Sequence, residues 1–198
     1  MDSAAAREAT WMSDRPVDDG REIVVRIAYG DRDALTDLYA RYESTLSRYL
    51  YQVTTDRGLA EEILQDTLVA VWKGAAHFEG RSTVQTWLIG IARRQAHNCL
   101  RRRSLPWADA SELEIVPAPG PDPEDTALAN AEKAELALLL KRLAPVHREA
   151  IVLTFIDGLS YQEIATVLGI PQGTVKSRLS NAKRALRALL QASEEVER

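Results

Sequence analysis

Residues 159–187, LSYQEIATVLGIPQGTVKSRLSNAKRALR, constrain this chain more than any other stretch. Ser160 and Glu163 have capping-box spacing, which predicts a helix beginning at Tyr161. Ile164, Ala165 and Leu168 give that helix one apolar face, and Gly169 suits the left-handed residue that ends it. Pro171 suits the first turn of a second helix, where its missing N–H costs nothing. Val175, Leu179, Ala182 and Leu186 then repeat at helical spacing, with Lys176, Ser177, Asn181 and Arg184 on the other side. Between Pro171 and Arg187 stand five Lys or Arg and no acid. Two short helices, a tight turn and a basic second helix are the anatomy of a helix-turn-helix that enters a DNA major groove. The plainer alternative is a packed helix pair with a solvated basic face.

A length of 198 residues allows one ordinary domain or two small ones, and a hydrophobic fraction of 45% fits a globular protein. No apolar run reaches the length of a membrane span, and the acid-bearing N-terminus does not read as a secretory signal. Cys99 is the only cysteine. It can form no internal disulfide, which fits a reducing cytoplasm. Three scattered His and one Cys give no metal-ligand spacing, so neither a metal nor another cofactor is expected.

The net charge of −4 looks wrong for a nucleic-acid binder until its distribution is considered. Residues 93–103 hold Arg93, Arg94, Arg101, Arg102 and Arg103 without an acid, and 171–187 form a second basic block. Between them, Asp109, Glu112, Glu114, Asp122, Glu124, Asp125, Glu132 and Glu135 face Lys133 alone. Local charge steers association more than the sum does.

The reading is all-α, with two small helical domains on an acidic, Pro-rich linker. Residues 1–20 form a flexible extension in which Trp11 is a lone aromatic. From 21 to 103 the periodicity is helical. One helix starts at Val24, Ile27 and Ala28 and breaks at Gly30-Asp31, and another resumes through Leu35, Leu38, Leu46 and Leu50. A third runs from Leu59 to Ala75, and a fourth follows a Gly-containing loop, from Thr83 to Arg102. Residues 104–126 are the linker, with five prolines from 104 to 125. The second domain spans 127–192, with helices at 127–143 and 146–156 before the pair described above. Glu194 to Arg198 read as frayed.

Two further regions suggest chemistry. Arg81, Ser82, Thr83, Gln85 and Thr86 crowd a helix start beside Trp87, and helix N-termini attract phosphate. Arg93, Arg94 and Arg101 add positive charge. Polar groups beside an aromatic suit an unpaired base, although Trp87 also fits the apolar Val84–Leu88–Ile91 stripe. On the preceding helix, Glu61, Glu62, Gln65 and Asp66 form an acidic face that could dock on a basic protein or be merely solvated.

In order, these features resemble the extracytoplasmic-function (ECF) group of bacterial sigma factors. That family's first domain carries D-A-E-D-x-x-Q-E and then G-R-S-x-F-x-T-W-L-x-x-I-A-R-N-x-x-x-D-x-x-R-R. Here LAEEILQDTLVAVW occupies 59–72 and GRSTVQTWLIGIARRQAHNCLRR occupies 80–102. The family's second domain ends in L-S-Y-x-E-I-A-x-x-L-G-I-P-x-G-T-V-K-S-R-L-x-R-A-R, against LSYQEIATVLGIPQGTVKSRLSNAK at 159–183. Leu59, Val84, Arg94, Asn98 and Asn181 depart from the usual Asp, Phe, Asn, Asp and Arg, so promoter specificity does not carry over.

The resemblance implies a cytoplasmic, non-enzymatic subunit of RNA polymerase. Glu61, Glu62, Gln65 and Asp66 would meet the β′ clamp helices. Residues Arg81, Ser82, Thr83, Gln85, Thr86 and Trp87 would capture a flipped base of the −10 element, with Arg93, Arg94, Asn98 and Arg101 on backbone or neighbouring edges. Lys176, Ser177 and Asn181 would read the −35 element while Thr174 and Arg184 hold phosphates. Arg178 stands between a DNA contact and an ion pair with Glu163. Leu139 and Phe155 stand between core packing and the β flap. The linker would run through the polymerase, and an anti-sigma protein would silence the factor. Two other classes compete. A free-standing helix-turn-helix regulator would need a sensing or dimerising domain that 21–103 do not display. A nuclease would need more than the Glu61–Glu62–Asp66 group to hold Mg²⁺.

Overall fold

The computed structural model describes residues 20–103 and 138–196, with side chains to 192. The extension with Trp11, the linker 104–126 and the first part of the 127–143 helix lie outside the described residues.

Four helices build the first module: α1 (Arg21–Ala28), α2 (Arg32–Thr54), α3 (Arg57–Gly74) and α4 (Val84–Arg102). Local chemistry explains each boundary. Gly30, with φ of 86°, turns the chain after α1, and the Asp31 carboxylate accepts from the N–H groups of Asp33 and Ala34 to start α2. Asp56 caps α3 through the Leu59 N–H, and Thr83 caps α4 through the Thr86 N–H. A 3₁₀ turn, Ala75–His77, and the loop through Gly80 join the last two helices. The apolar faces converge on Leu38, Leu46, Tyr49, Leu50, Ile63, Val71, Leu88 and Ile89, all essentially without solvent contact. Burial of one such Leu or Ile is worth roughly 1.5–3 kcal/mol.

After a helical stretch at 138–141, the second module has α5 (Pro145–Ile151), α6 (Tyr161–Leu168) and α7 (Gln172–Val196). The backbone of α5 continues into a π-helical turn, Val152–Ile156, so what reads as one helix over 146–156 changes its winding midway. Ser160 and Glu163 form the complete capping box, and Gly169 ends α6 at φ 67°. Pro171 sits one position before α7, where its carbonyl accepts from Thr174 and Val175. Val175, Leu179 and Ala182 are buried against the module. The backbone of α7 continues through Val196, where fraying was expected from Glu194, and Glu197 and Arg198 lie outside the described residues. No strand occurs among the described residues.

The buried residues of both modules join in one continuous apolar cluster. The α6 helix and the π-turn pack on α4 and α2.

Two glycines give opposite expected outcomes. Gly169 holds a left-handed backbone, so Gly169→Ala should lower stability by about 1 kcal/mol despite open space around its Cα. Gly173 lies inside α7 with nothing near it, so Gly173→Ala should raise stability by about 0.5 kcal/mol. Denaturant midpoints of the two variants check both signs.

Candidate nucleic-acid interface

On α7, the buried Val175–Leu179–Ala182 stripe fixes which side faces out. Lys176, Ser177, Asn181 and Arg184 are exposed together, and Thr174 is half-buried at the edge. Ser177 Oγ donates to the Thr174 carbonyl at 2.9 Å, so its lone pairs point outward as acceptors. Arg184 Nη2 donates to Asn181 Oδ1 at 3.0 Å and leaves the Asn181 amide N–H₂ as the outward donor. The Asn181 oxygen keeps a second lone pair, so the amide can both donate to and accept from an adenine edge in a major groove. Arg178 does not reach Glu163. Its Nη1 is buried without a hydrogen-bond partner, while Glu163 turns to other groups described below.

The acidic face of α3 is open. Glu61, Glu62, Gln65 and Asp66 are all exposed, and Val69, 52% exposed, continues the Glu62–Gln65–Asp66 face as an apolar end point. Glu61 lies 3.4 Å from Arg57, and Glu62 lies 2.6 Å from Arg103. Both are surface pairs of small energetic worth, so neither withholds its carboxylate from a partner.

The residues assigned to the −10 element divide in two. Trp87, Arg94, Asn98 and Arg101 fall on one face of α4 by helical spacing. Arg94 and Arg101 are exposed, and Asn98 is half-buried. Trp87 is neither fully core nor free: its ring packs on Phe78 with centroids 4.9 Å apart and one flank partly open. In the loop before the helix, Arg81 is exposed and pairs with Glu79 at 2.6 Å, and Ser82 is half-buried.

Thr83, Gln85, Thr86 and Arg93 face the second module instead. Glu163 Oε1 accepts from Thr83 Oγ1 at 3.1 Å and from Thr86 Oγ1 at 2.9 Å. Gln85 Nε2 donates to the Asp157 carbonyl at 2.8 Å. Arg93 Nε and Tyr49 OH both donate to Glu149 Oε1, at 3.1 and 2.8 Å. Arg48 Nη2 meets Asp157 Oδ1 at 2.9 Å. Arg93 is only 14% exposed and Thr86 is buried, so the expectation that these side chains stand open to nucleic acid does not hold in this arrangement. The sequence reading missed the carboxylates that cover them. The available signal was Glu149 and Asp157, two acids bracketing the mostly apolar run AIVLTFI. Phe155 also departs from core packing: it is 51% exposed, with Lys183 Nζ 5.2 Å above its ring, whereas Leu139 is buried.

Burial pushes the Asp157 carboxyl up to about 6, against the opposing hydrogen bond and charge of Arg48. For Glu163, burial also pushes upward, but donation from Ser160, Thr86 and Thr83 outweighs it and holds the carboxyl below its ordinary value. Burial, then the charges of Arg178 and Arg184, lower His147. The signs differ. Asp157 contributes stability that is full below pH 3.8 and is lost as pH rises through about 6. His147 contributes stability that is full above pH 6.5 and is lost as pH falls below it. Asp157→Asn isolates the first effect. The groups surrounding that site are Arg48 and Tyr49 from α2, Gln85 and Arg93 from α4, and Glu149 from α5. Between pH 7.5 and 5 the parent protein should gain stability relative to Asp157→Asn, by about 0.7 kcal/mol per pH unit near pH 6 and about 1 kcal/mol per pH unit near pH 5. Parallel unfolding profiles of the two proteins would contradict the assignment.

Comparison with known proteins agrees with this architecture. The family described as Sigma-70 region 2 matches residues 38–105, and Sigma-70, region 4 matches 133–186. RNA polymerase sigma factor CarQ of Myxococcus xanthus is 32% identical over 83% of this chain and 94% of its own. ECF RNA polymerase sigma factor SigE of Mycolicibacterium smegmatis is 30% identical over 92% of this chain and 72% of its own. A solved structure of CnrH in complex with the cytosolic domain of CnrY is 27% identical, with a TM-score of 0.65 over 89% of this chain and 99% of that one.

The chain belongs to the ECF sigma factors of the sigma-70 family. It is thus a transcription-initiation factor with DNA-binding domains and not an enzyme. Among the described residues no helix is long and apolar enough to cross a membrane.

Proposed function

We propose that this sigma factor works in the cytoplasm by binding core RNA polymerase, reading a −35 and a −10 element, and opening the duplex between the latter and the start site. The observation that carries the reading is the joint exposure of Lys176, Ser177 and Asn181 on α7, opposite the buried stripe. These three meet base edges, while Thr174 and Arg184 hold phosphates that position the helix without specifying sequence.

The domains on this reading are 21–103 and 127–192, joined by 104–126. The first docks through Glu61, Glu62, Gln65 and Asp66 on a basic surface of the β′ clamp helices. Arg81, Ser82, Thr83, Gln85, Thr86 and Trp87 surround an extruded base, and Arg93, Arg94, Asn98 and Arg101 neutralise phosphates or read neighbouring edges. Unstacking a base costs a few kcal/mol, and a site that accepts only the extruded base returns that cost selectively. Phe155, exposed and flanked by Lys183, supplies an apolar contact to the β flap. CnrH, the structural relative above, is in complex with the cytosolic domain of CnrY, and another structural relative, the sigma factor RpoE of Bartonella quintana, is in complex with the anti-sigma factor NepR. By analogy, an anti-sigma protein restrains this factor.

Permanganate footprinting of the reconstituted holoenzyme tests the opening step. Thymines from the −10 element to the start site should become reactive only when both the factor and core polymerase are present. Reactivity that does not depend on the factor would contradict the melting role.

A further inference from the structure

The loop that leads into α4 turns on a residue whose backbone is unusually free. Gly80 holds φ of 68°, a left-handed conformation that glycine adopts without strain. Its neighbours make short-range contacts: Arg81 pairs with Glu79, and Ser82 Oγ donates to the Thr83 carbonyl at 3.2 Å. Contacts of that kind travel with the loop and do not fix it to the rest of the module. Arg21 does. It stands at the first position of α1, and its Nη2 donates to the Gly80 carbonyl at 2.8 Å. The guanidinium lies so close to the Gly80 backbone that a Cβ there would stand 3.2 Å from Nη1. The α1 helix packs on the 3₁₀ turn that opens this connection. On the other side of the loop, Phe78 packs against the core and stacks on Trp87.

We infer that Arg21 is a positioning residue for the −10 site: it locks the Gly80–Arg81 peptide in one orientation, so that Arg81 and Ser82 are presented to the extruded base. The inference rests on the proposed −10 role of Arg81 to Trp87 and adds a residue from outside that segment. A peptide bond is planar and trans, so its carbonyl and its N–H point in opposite directions. Drawing the Gly80 carbonyl to Arg21 therefore turns the Arg81 N–H to the far side. It also sets the direction in which the chain enters Arg81 and Ser82. Without the tether, Gly80 lets this peptide turn over at little cost, and only one of its orientations presents the loop correctly. Capture of the base then falls with the competent fraction: a loop in the working conformation about one-fifth of the time captures about fivefold less well. Arg21 is exposed, so replacing it leaves the buried core of the module intact.

The test uses holoenzyme reconstituted from the full chain and a promoter carrying 2-aminopurine in the non-template strand of its −10 element, whose fluorescence rises when the base unstacks. Arg21→Ala should slow the concentration-independent opening step about fivefold, while titration with core polymerase is unchanged. Arg21→Lys keeps a cationic donor of similar reach and should open within about twofold of the parent protein. Gly80→Ala should also slow opening, and adding Arg21→Ala to it should cost little more, because both changes break one contact. Hydrogen exchange over 79–82 should be faster in Arg21→Ala than in the parent, which reports the lock without DNA. Opening or exchange at the parent rate in Arg21→Ala overturns the inference. So do an Arg21→Lys variant as slow as Arg21→Ala and additive losses in the double variant. A salt slope of promoter binding that falls by about one in Arg21→Ala places the guanidinium on a phosphate and overturns the positioning role. A parent holoenzyme that unstacks no base of the −10 element is a separate result: it removes the −10 reading itself, and the inference with it.

Discussion

Charge reversal of Glu62 and Asp66 to Lys is expected to weaken association with core RNA polymerase by about 100-fold or more and to leave the fold intact. The magnitude follows from the interface chemistry. Close charge pairs across protein interfaces couple by about 1.5–7 kcal/mol, and reversal replaces attraction with repulsion at both positions. The cost to the free protein is small because both side chains are exposed. Glu62 does lose its 2.6 Å pair with Arg103, but surface pairs are typically worth less than about 1 kcal/mol. Thermal unfolding should therefore barely change. Binding of the factor to promoter DNA should change far less than binding to core, since these residues lie on α3, away from the α7 reading face. Val69→Ala, on the same α3 face, should add a smaller loss through apolar contact. Holoenzyme formation that is unaltered by the reversal would place the polymerase contact elsewhere.

Replacing Lys176 and Asn181 by Ala is expected to abolish most −35-dependent transcription, with about 10- to 100-fold lower occupancy for each lost base contact. A well-formed pairing with a base edge discriminates by about 1–3 kcal/mol. Asn181 should matter most at a single position, because its amide hydrogens are exposed donors and its Oδ1, already accepting from Arg184, keeps a second lone pair. Arg184→Ala serves as the contrast. As a phosphate contact it should weaken binding evenly across promoter sequences and reduce the salt slope by about one ion. None of the three lies in the buried stripe, so all should fold normally. A promoter panel with unaltered output after the double substitution would refute the reading role of α7.

Legibility in the sequence followed how local the governing interaction was. The helix-turn-helix was readable almost residue by residue, because its signals act within a few positions: Ser160 and Glu163 for the cap, Gly169 for the stop, Val175–Leu179–Ala182 for the buried side. The exposure of Glu61, Glu62, Gln65 and Asp66 also follows from periodicity within one helix. The seam was not readable. Tyr49 and Glu149, or Thr86 and Glu163, are far apart in sequence, and no spacing rule links them. Thr86 reads as a surface polar residue from its neighbours and is buried only because another module arrives. The π-turn at Val152–Ile156 leaves no trace in an apolar run that suits any helix. Phe155 shows the reverse error: apolar character suggested core, while its position on the turn leaves it exposed.

The central claim is that this chain confers start-site selection on a larger polymerase. Run-off transcription with purified core RNA polymerase on a promoter library, with and without the chain, tests it most directly. The predicted result is a set of discrete transcripts that require the chain and share two spaced upstream elements. Transcripts indistinguishable from those of core polymerase alone would contradict it.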